Sequence, residues 1–179
     1  MNKLNYTWIF ILLLTLTYGC NKEANPQSAS SEWLIPSGEV QDGGPGKDGI
    51  PSIDQPQFNT SEAVDFPSEN DLIVGMVNDG IAKAYPHPIL DWHEIVNDNI
   101  GDKAVALTYC PLTGTAIAWN RTINGETTTF GVSGKLYNSN LIPYDRATDS
   151  YWSQAKLECV NGEEIGAVSY THLTLPTKA

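Results

Sequence analysis

The feature that most restricts this chain's fold is how soon every apolar run is stopped. "KAVALTYC" ends at Cys110 against Pro111, and after "LTG" the next run, "TAIAWNRTI", begins. Proline cannot donate a ladder hydrogen bond, so a strand through Lys103–Cys110 must end there. The same punctuation recurs. "DLIVGMV" is followed by "NDG" and "IAKAYP", a hairpin with Gly80 where a positive φ is wanted. Asn124-Gly125 joins "TAIAWNRTI" to "TTTFGVS", and "SYWSQAKLECV" leads to a second Asn-Gly pair at Asn161-Gly162. These runs are too short for a helical bundle. The expected fold is mostly β, a small barrel or sandwich of short antiparallel strands. One short helix is expected near 91–97, in "DWHEIVND". There Asp91 can cap and Glu94, three residues on, completes a capping box. On that helix His93 and Asn97 would share a face.

The N-terminal segment reads differently. "MNKLNY" carries Lys3, "TWIFILLLTLTYG" is an apolar stretch of about ten residues turning small, and Cys20 follows. The run falls short of the roughly 20 residues a membrane helix needs. Gly19-Cys20 resembles a bacterial lipoprotein signal, in which the cysteine is lipidated after cleavage, although Thr17 stands where that motif prefers an aliphatic residue. An uncleaved anchor and plain secretion are the alternatives. The resemblance implies a signal peptide over 1–19, lipidation at Cys20 and a place in the bacterial cell envelope, outside the cytoplasm. Acyl chains bind a bilayer with about 0.8 kcal/mol per buried methylene. Residues 20–47, rich in Ser, Pro and Gly, read as a flexible tether, within which "EWLIPSGEV" can pair locally as a first strand. Residues 48–167 then form the β domain. The final twelve residues, "VSYTHLTLPTKA", resemble the translation of a sequencing adapter. That implies an artefactual tail over 168–179, with His172 inside it. His87 and His93 are then the histidines of the domain.

Charge narrows the partners. The chain carries 10 Lys and Arg against 21 Asp and Glu, a net charge of −11. Loss of Lys3 with the signal makes it −12 (−11 − 1). Nucleic-acid binding needs a basic stripe and is disfavoured. Anionic lipid would repel such a surface, so membrane contact is expected through the acyl anchor alone.

Three constellations carry chemistry. The first is Cys110 with His93: a thiol is a nucleophile only as thiolate, and His93 could activate it with Glu94, Asp91 or Asn97 orienting the ring. The second is a copper or zinc site from His87, His93 and Cys110, with Pro86 and Pro88 fixing the backbone around His87. The third is the polar-ligand segment "LYNSNLIPYDR", with Tyr137, Asn138, Ser139, Asn140, Tyr144, Asp145 and Arg146, and Trp92 alongside. Each has a plain alternative: a buried or bonded cysteine, a rigid turn, and a loop held by Asx turns. "FGVSGK" lacks phosphate-loop spacing, and Asp48 with Asp54 does not make an EF-hand loop. Cys110 and Cys159, 49 residues apart (159 − 110), could form a disulfide in an oxidising compartment. Such a bridge stabilises by roughly 4 kcal/mol if unstrained.

The segments "DGIPSIDQPQF", "AYPHPILDWHEIVND", "VALTYCPLTGTAIAW", "FGVSGKLYNSNLIPYDR" and "DSYWSQ" resemble, in this order, the bacterial family known as domain of unknown function 3179, over about 48–154. The resemblance implies no established activity. Many members read Cys-Pro-Leu-Cys where this chain reads Cys110-Pro111-Leu112-Thr113. Thr113 removes a CxxC, and with it a thioredoxin-like role.

The functional expectation is an anchored envelope domain with one polar pocket for a small ligand or metal, built from "HPILDWHE", the "TYCPLTG" turn and "YNSN…YDR". Thiol- or metal-assisted chemistry at a reduced Cys110 facing that pocket is the enzymatic version. The alternative is a structural or assembly lipoprotein stapled by Cys110–Cys159. Cys20→Ala is expected to abolish lipidation and release the protein from the membrane fraction. Membrane retention of the variant, with no lipid mass on it, would overturn the anchor.

Overall fold

The computed structural model describes residues 32–169. The signal segment, Cys20 and most of the suspected tail, including His172, lie outside the described residues.

Along the chain the strands are β1 (Val40–Asp42), β2 (Ile53–Asp54), β3 (Ile73–Asn78) and β4 (Ile81–Pro86). The helix α1 (His87–His93) follows, then β5 (Ile95–Ile100), β6 (Lys103–Cys110) and β7 (Thr115–Asn120). The rest are β8 (Thr122–Ile123), β9 (Glu126–Thr127), β10 (Phe130–Tyr137), β11 (Asn140–Asp145), β12 (Tyr151–Ser153) and β13 (Glu158–Asn161). They form a sheet ordered β2-β5-β6-β7, a sheet ordered β1-β10-β11-β12-β13, and two ribbons, β3-β4 and β8-β9. All pairings are antiparallel except β2 with β5. The fold is mostly β with one short α-helix, and among the described residues no sheet closes into a barrel.

The four-stranded sheet is the middle layer. Val105, Leu107 and Tyr109 of β6 face a core shared with Val74, Met76 and Tyr85 of the β3-β4 ribbon and Leu90 of α1. Ala106 and Cys110, on the other face, pack with Ile95, Trp119, Phe130, Val132, Leu141, Trp152 and Cys159. This second core joins the two sheets. Its centre is an aromatic cluster in which Trp152 meets Trp119 and Phe130 edge-on at centroid separations of 5.8 and 5.7 Å. A third, smaller core, Ile35, Ile142 and Val160, lies beyond the five-stranded sheet and is covered by Trp33, which stacks on Tyr151. Part of the segment read as a tether is therefore docked: Leu34 N–H donates to Val160 O at 2.8 Å, and Val40–Asp42 pairs with β10. The apolar "WLI" is what holds it.

Three local expectations are corrected. The helix begins at His87 rather than Asp91. Pro86 sits at the N-cap and Pro88 in the first turn, where a missing N–H costs nothing. No side chain caps it, and Asp91 lies inside it. It stops at Glu94, which adopts φ 56°, and 95–100 is a strand because β6 offers it a continuous antiparallel ladder, from Ile95 opposite Thr108 to Ile100 opposite Lys103. Second, Asn124-Gly125 closes only the β8-β9 ribbon, which carries the chain from one sheet to the other. Third, Gly162 follows β13 as a turn with φ 106° and closes no hairpin.

Asn97 clamps the two sheets. Its Oδ1 accepts from Phe130 N–H and its Nδ2 donates to Phe130 O, both at 2.8 Å, and Nδ2 also donates to Asp54 at 2.7 Å. The side chain thus stands in for a neighbouring strand in a buried place. Asn97→Ala is expected to cost about 2 kcal/mol in denaturant unfolding, because it strands the buried Phe130 N–H, while Phe130 O keeps Arg146 as a donor. A loss below 1 kcal/mol would mean the clamp is dispensable.

Candidate functional site

The end of β6 is where distant segments meet. Pro111 stops the strand, and Leu112, 69 % exposed, stands on the turn that follows. Tyr109 N–H donates to Glu94 O at 2.7 Å, which brings the end of α1 against this rim. On the other side the Asn138-Ser139 turn arrives. Cys110 Sγ lies 3.5 Å from Ser139 O, and Asn140 Nδ2 donates to Thr115 Oγ1 at 3.4 Å. Asn138 and Ser139 have φ of 51° and 59°, the left-handed pair a two-residue hairpin requires. "HPILDWHE", "TYCPLTG" and "YNSN" are therefore gathered at one rim.

The residues at this rim divide by the face of β6 they occupy, because successive strand side chains point opposite ways. Tyr109 meets His87: their rings are 4.7 Å apart, and the phenol oxygen is 3.2 Å from Nδ1. Burial and the neighbouring Asp91 carboxylate raise the Tyr109 phenol above its ordinary range, so it stays protonated as a hydrogen-bond donor. On the same helix as His87, Trp92 is 79 % exposed. Cys110 points the other way, into the inter-sheet core, and is 1 % exposed.

The predicted pairs fare as follows. Cys110 and Cys159 are both free, so no disulfide joins them in this structure. The Cys110 thiol faces Ser139 O and the core rather than a pocket with His93. His93 is held elsewhere: its Nδ1 lies 2.8 Å from Pro51 O, a contact that assigns the proton to Nδ1. No hydrogen bond links it to Cys110 among the described residues. Asn97, proposed to orient that ring, is occupied by Phe130. For the metal set, His87 and Cys110 lie on opposite faces of β6, and the described residues contain no group of three His, Cys, Asp or Glu arranged to hold an ion. Burial raises the Cys159 thiol to about 12, which keeps it an inert core residue.

The "YNSNLIPYDR" segment is split. Asn138 and Asn140 are at the rim with Tyr137, but β11 carries Tyr144, Asp145 and Arg146 away by about 17 Å, five strand steps. Asp145 is fully buried and accepts from Thr148 N–H at 2.8 Å and Trp152 Nε1 at 3.0 Å, a structural duty. Tyr144 O–H donates to Asp48, and Arg146 donates to Asp48 at 2.9 Å, Ser52 at 3.1 Å and Phe130 O at 3.1 Å. Burial alone would raise the Asp48 carboxyl, but the Tyr144 and Arg146 hydrogen bonds outweigh it and hold it below the usual range. This network fastens residues 48–52 to the Phe130 end of β10 and the Tyr144 end of β11. No single motif announces it, since its partners are 96 and 98 residues apart (144 − 48, 146 − 48).

Glu94 is the strained member of the rim. It is half-buried, left-handed, and raised in pKa by desolvation. A raised carboxyl binds its proton better in the folded state, so its contribution is favourable below the ordinary Glu range and lost as pH climbs through the raised value. Glu94→Gln is therefore expected to raise Tm at pH 8 and leave it unchanged at pH 4. Glu94→Gly should stabilise by about 1 kcal/mol at both, by relieving the left-handed backbone. Equal effects of Glu94→Gln at the two pH values would refute the desolvation argument.

Comparison with known proteins adds one match. No curated protein and no solved structure matched the chain. Residues 47–174 match the family model described as "Protein of unknown function (DUF3179)", a match that spans the β domain and runs into the segment suspected as a tail. With the greater part of its length covered, the chain belongs to that family.

Proposed function

We propose that this chain is an envelope lipoprotein, anchored through Cys20, whose β domain binds a small polar ligand at the rim where β6 ends. The observation that carries the reading is Trp92, 79 % exposed on the same short helix whose His87 meets Tyr109. An aromatic face held in water, with a protonated phenol, an imidazole and the Asp91 carboxylate at the same rim, suits a compact ring with hydroxyl edges. The ring's apolar face covers the indole, and its hydroxyls meet groups that both donate and accept. Asn140 supports the same reading: its Oδ1 is shielded and has no hydrogen-bond partner. The thiol version is less favoured, because a sulfur that is 1 % exposed is not presented to a substrate.

The test is ligand-observed NMR with glucose, N-acetylglucosamine and rhamnose, alongside tryptophan emission. Binding of at least one sugar is expected. Trp92→Ala should weaken it tenfold or more, and Tyr109→Phe several-fold. Absence of binding across the series, or full affinity in Trp92→Ala, would overturn the proposal.

A further inference from the structure

A cavity lies away from the rim, where β10 is interrupted. Val132 pairs with Pro143 and Lys135 with Ile142, so Ser133 and Gly134 are inserted between them as a bulge. Proline fits there because the ladder is already broken. The bulge is propped by Ser133, whose Oγ donates to Ile142 O and accepts from Lys135 N–H at 3.0 Å. The segment after β1 then crosses over the bulge. Gly43 N–H donates to Gly134 O at 2.7 Å, and Asp48 N–H to Val132 O at 2.8 Å. Gly134 has φ 73°, and a Cβ there would come within 2.7 Å of the Gly46 backbone. The close approach therefore needs glycine. Between bulge and crossing segment is a cavity of about 330 Å³, lined by Asp42, Lys47, Ser133, Gly134, Lys135 and Tyr151 among others.

Its charge is the reverse of the molecule's. The chain is −11, yet two ammonium groups face this cavity against one carboxylate. Lys47 is committed: it donates to Asp149 at 2.7 Å and lies 4.2 Å from the Tyr144 ring centroid. Lys135 is not. Asp42 is its partner across the ladder, but the Asp42 carboxylate accepts from Gly44 N–H at 2.9 Å. Among the described residues no carboxylate lies within ion-pair distance of Lys135. Its Nζ lies 5.8 Å from the Tyr151 ring centroid.

We propose that this cavity binds a small organic anion, with Lys135 as its charge partner and Tyr151 as the wall against its carbon skeleton. The volume is at the lower end for a small-molecule site, where cavities run from about 300 Å³ upward. An ammonium with no carboxylate partner is the group that gains most from a carboxylate or phosphate oxygen. The bulge and its glycine hold the walls apart whether or not the ligand is present. The proposal does not depend on the rim's occupant.

The experiment is isothermal titration of the β domain within the full chain, using citrate and inorganic phosphate as probes at low ionic strength, with sodium chloride as the blank. Citrate is expected to bind, and phosphate more weakly. Lys135→Gln should weaken citrate tenfold or more, while Lys135→Arg keeps most of it. Asp42→Asn should tighten it several-fold, by removing the one opposing charge. Lys103→Gln, an exposed lysine at the start of β6, should leave it unchanged. Each variant's fold is checked by its unfolding midpoint. No citrate heat above the chloride blank would overturn the site, as would equal losses in Lys135→Gln and Lys103→Gln. A folded Lys135→Gln protein with full affinity would overturn the role of Lys135.

Discussion

Strand β6 is buried on both faces, and the rest of the arrangement follows from that. A strand whose two sides both meet apolar layers needs one layer against each, so the ribbon with α1 covers one side and the five-stranded sheet the other. It also leaves no place for an unpaired polar atom. Thr108, in the middle of β6, shows the consequence. Its hydroxyl donates to Ile117 O at 3.2 Å and accepts from Trp119 Nε1 at 2.9 Å and Gln154 Nε2 at 2.7 Å. One hydroxyl thereby ties β6, β7 and the loop after β12. Gln154 Oε1 remains unpartnered. Flipping that amide would only exchange which of its atoms is bonded to Thr108.

Buried polar side chains do similar work at the seams. Arg121 lies where the chain leaves β7. It donates to Val105 O, Thr128 O and Asp98 O at 3.1, 2.8 and 3.0 Å, gathering three segments through carbonyls rather than a carboxylate. Burial lowers its pKa, although nearby Asp98 works against this. On the ribbon side, Lys83 and Tyr85 both bond to Asp98, at 2.8 Å each, and burial with that carboxylate raises the Tyr85 phenol. These contacts fix register, because each works only if the strands stop sliding at one position. They also explain why the rim at Pro111 is available. With the sheets locked along their length, the segments between strands are left to carry exposed groups, Trp92 on α1 and Leu112 on the turn after β6.

Much of the fold was legible locally. Asp79-Gly80 has φ of 48° and 77°, as a tight hairpin needs, and "NDG" announced it. Pro111 ended β6 as its missing N–H dictates. The helix was misplaced because a capping box is a short-range pattern that other contexts can satisfy. "DWHE" offered one, but Pro86 and Pro88 upstream preset the backbone, and β6 claimed 95–100 as a neighbour. The Asn138-Ser139 turn escaped notice since it lacks glycine, although asparagine tolerates the left-handed region better than most residues. The rim's three segments were identified as belonging together. What failed was the assumption that neighbours in sequence share a surface: Tyr109 and Cys110 face opposite layers, and Tyr144–Arg146 belong to the other end of β11 from Asn140.

The sequence by itself determined the class of structure. Short alternating runs with proline, glycine and asparagine between them have no way to satisfy their backbone except in small antiparallel sheets. It also supplied the residues of the rim, because turn chemistry places Cys110 and Asn140 at strand ends. Only the tertiary structure decided which of those residues meet. Whether a thiol looks at a histidine or at a carbonyl depends on which layer covers each face of β6. That choice is made by burial of side chains far apart in the chain, whose contacts leave no local pattern. The cavity over the β10 bulge is of the same kind. Its walls are a bulge at 133–134 and a crossing segment at 43–48, and they acquire a common interior only when β1 pairs with β10.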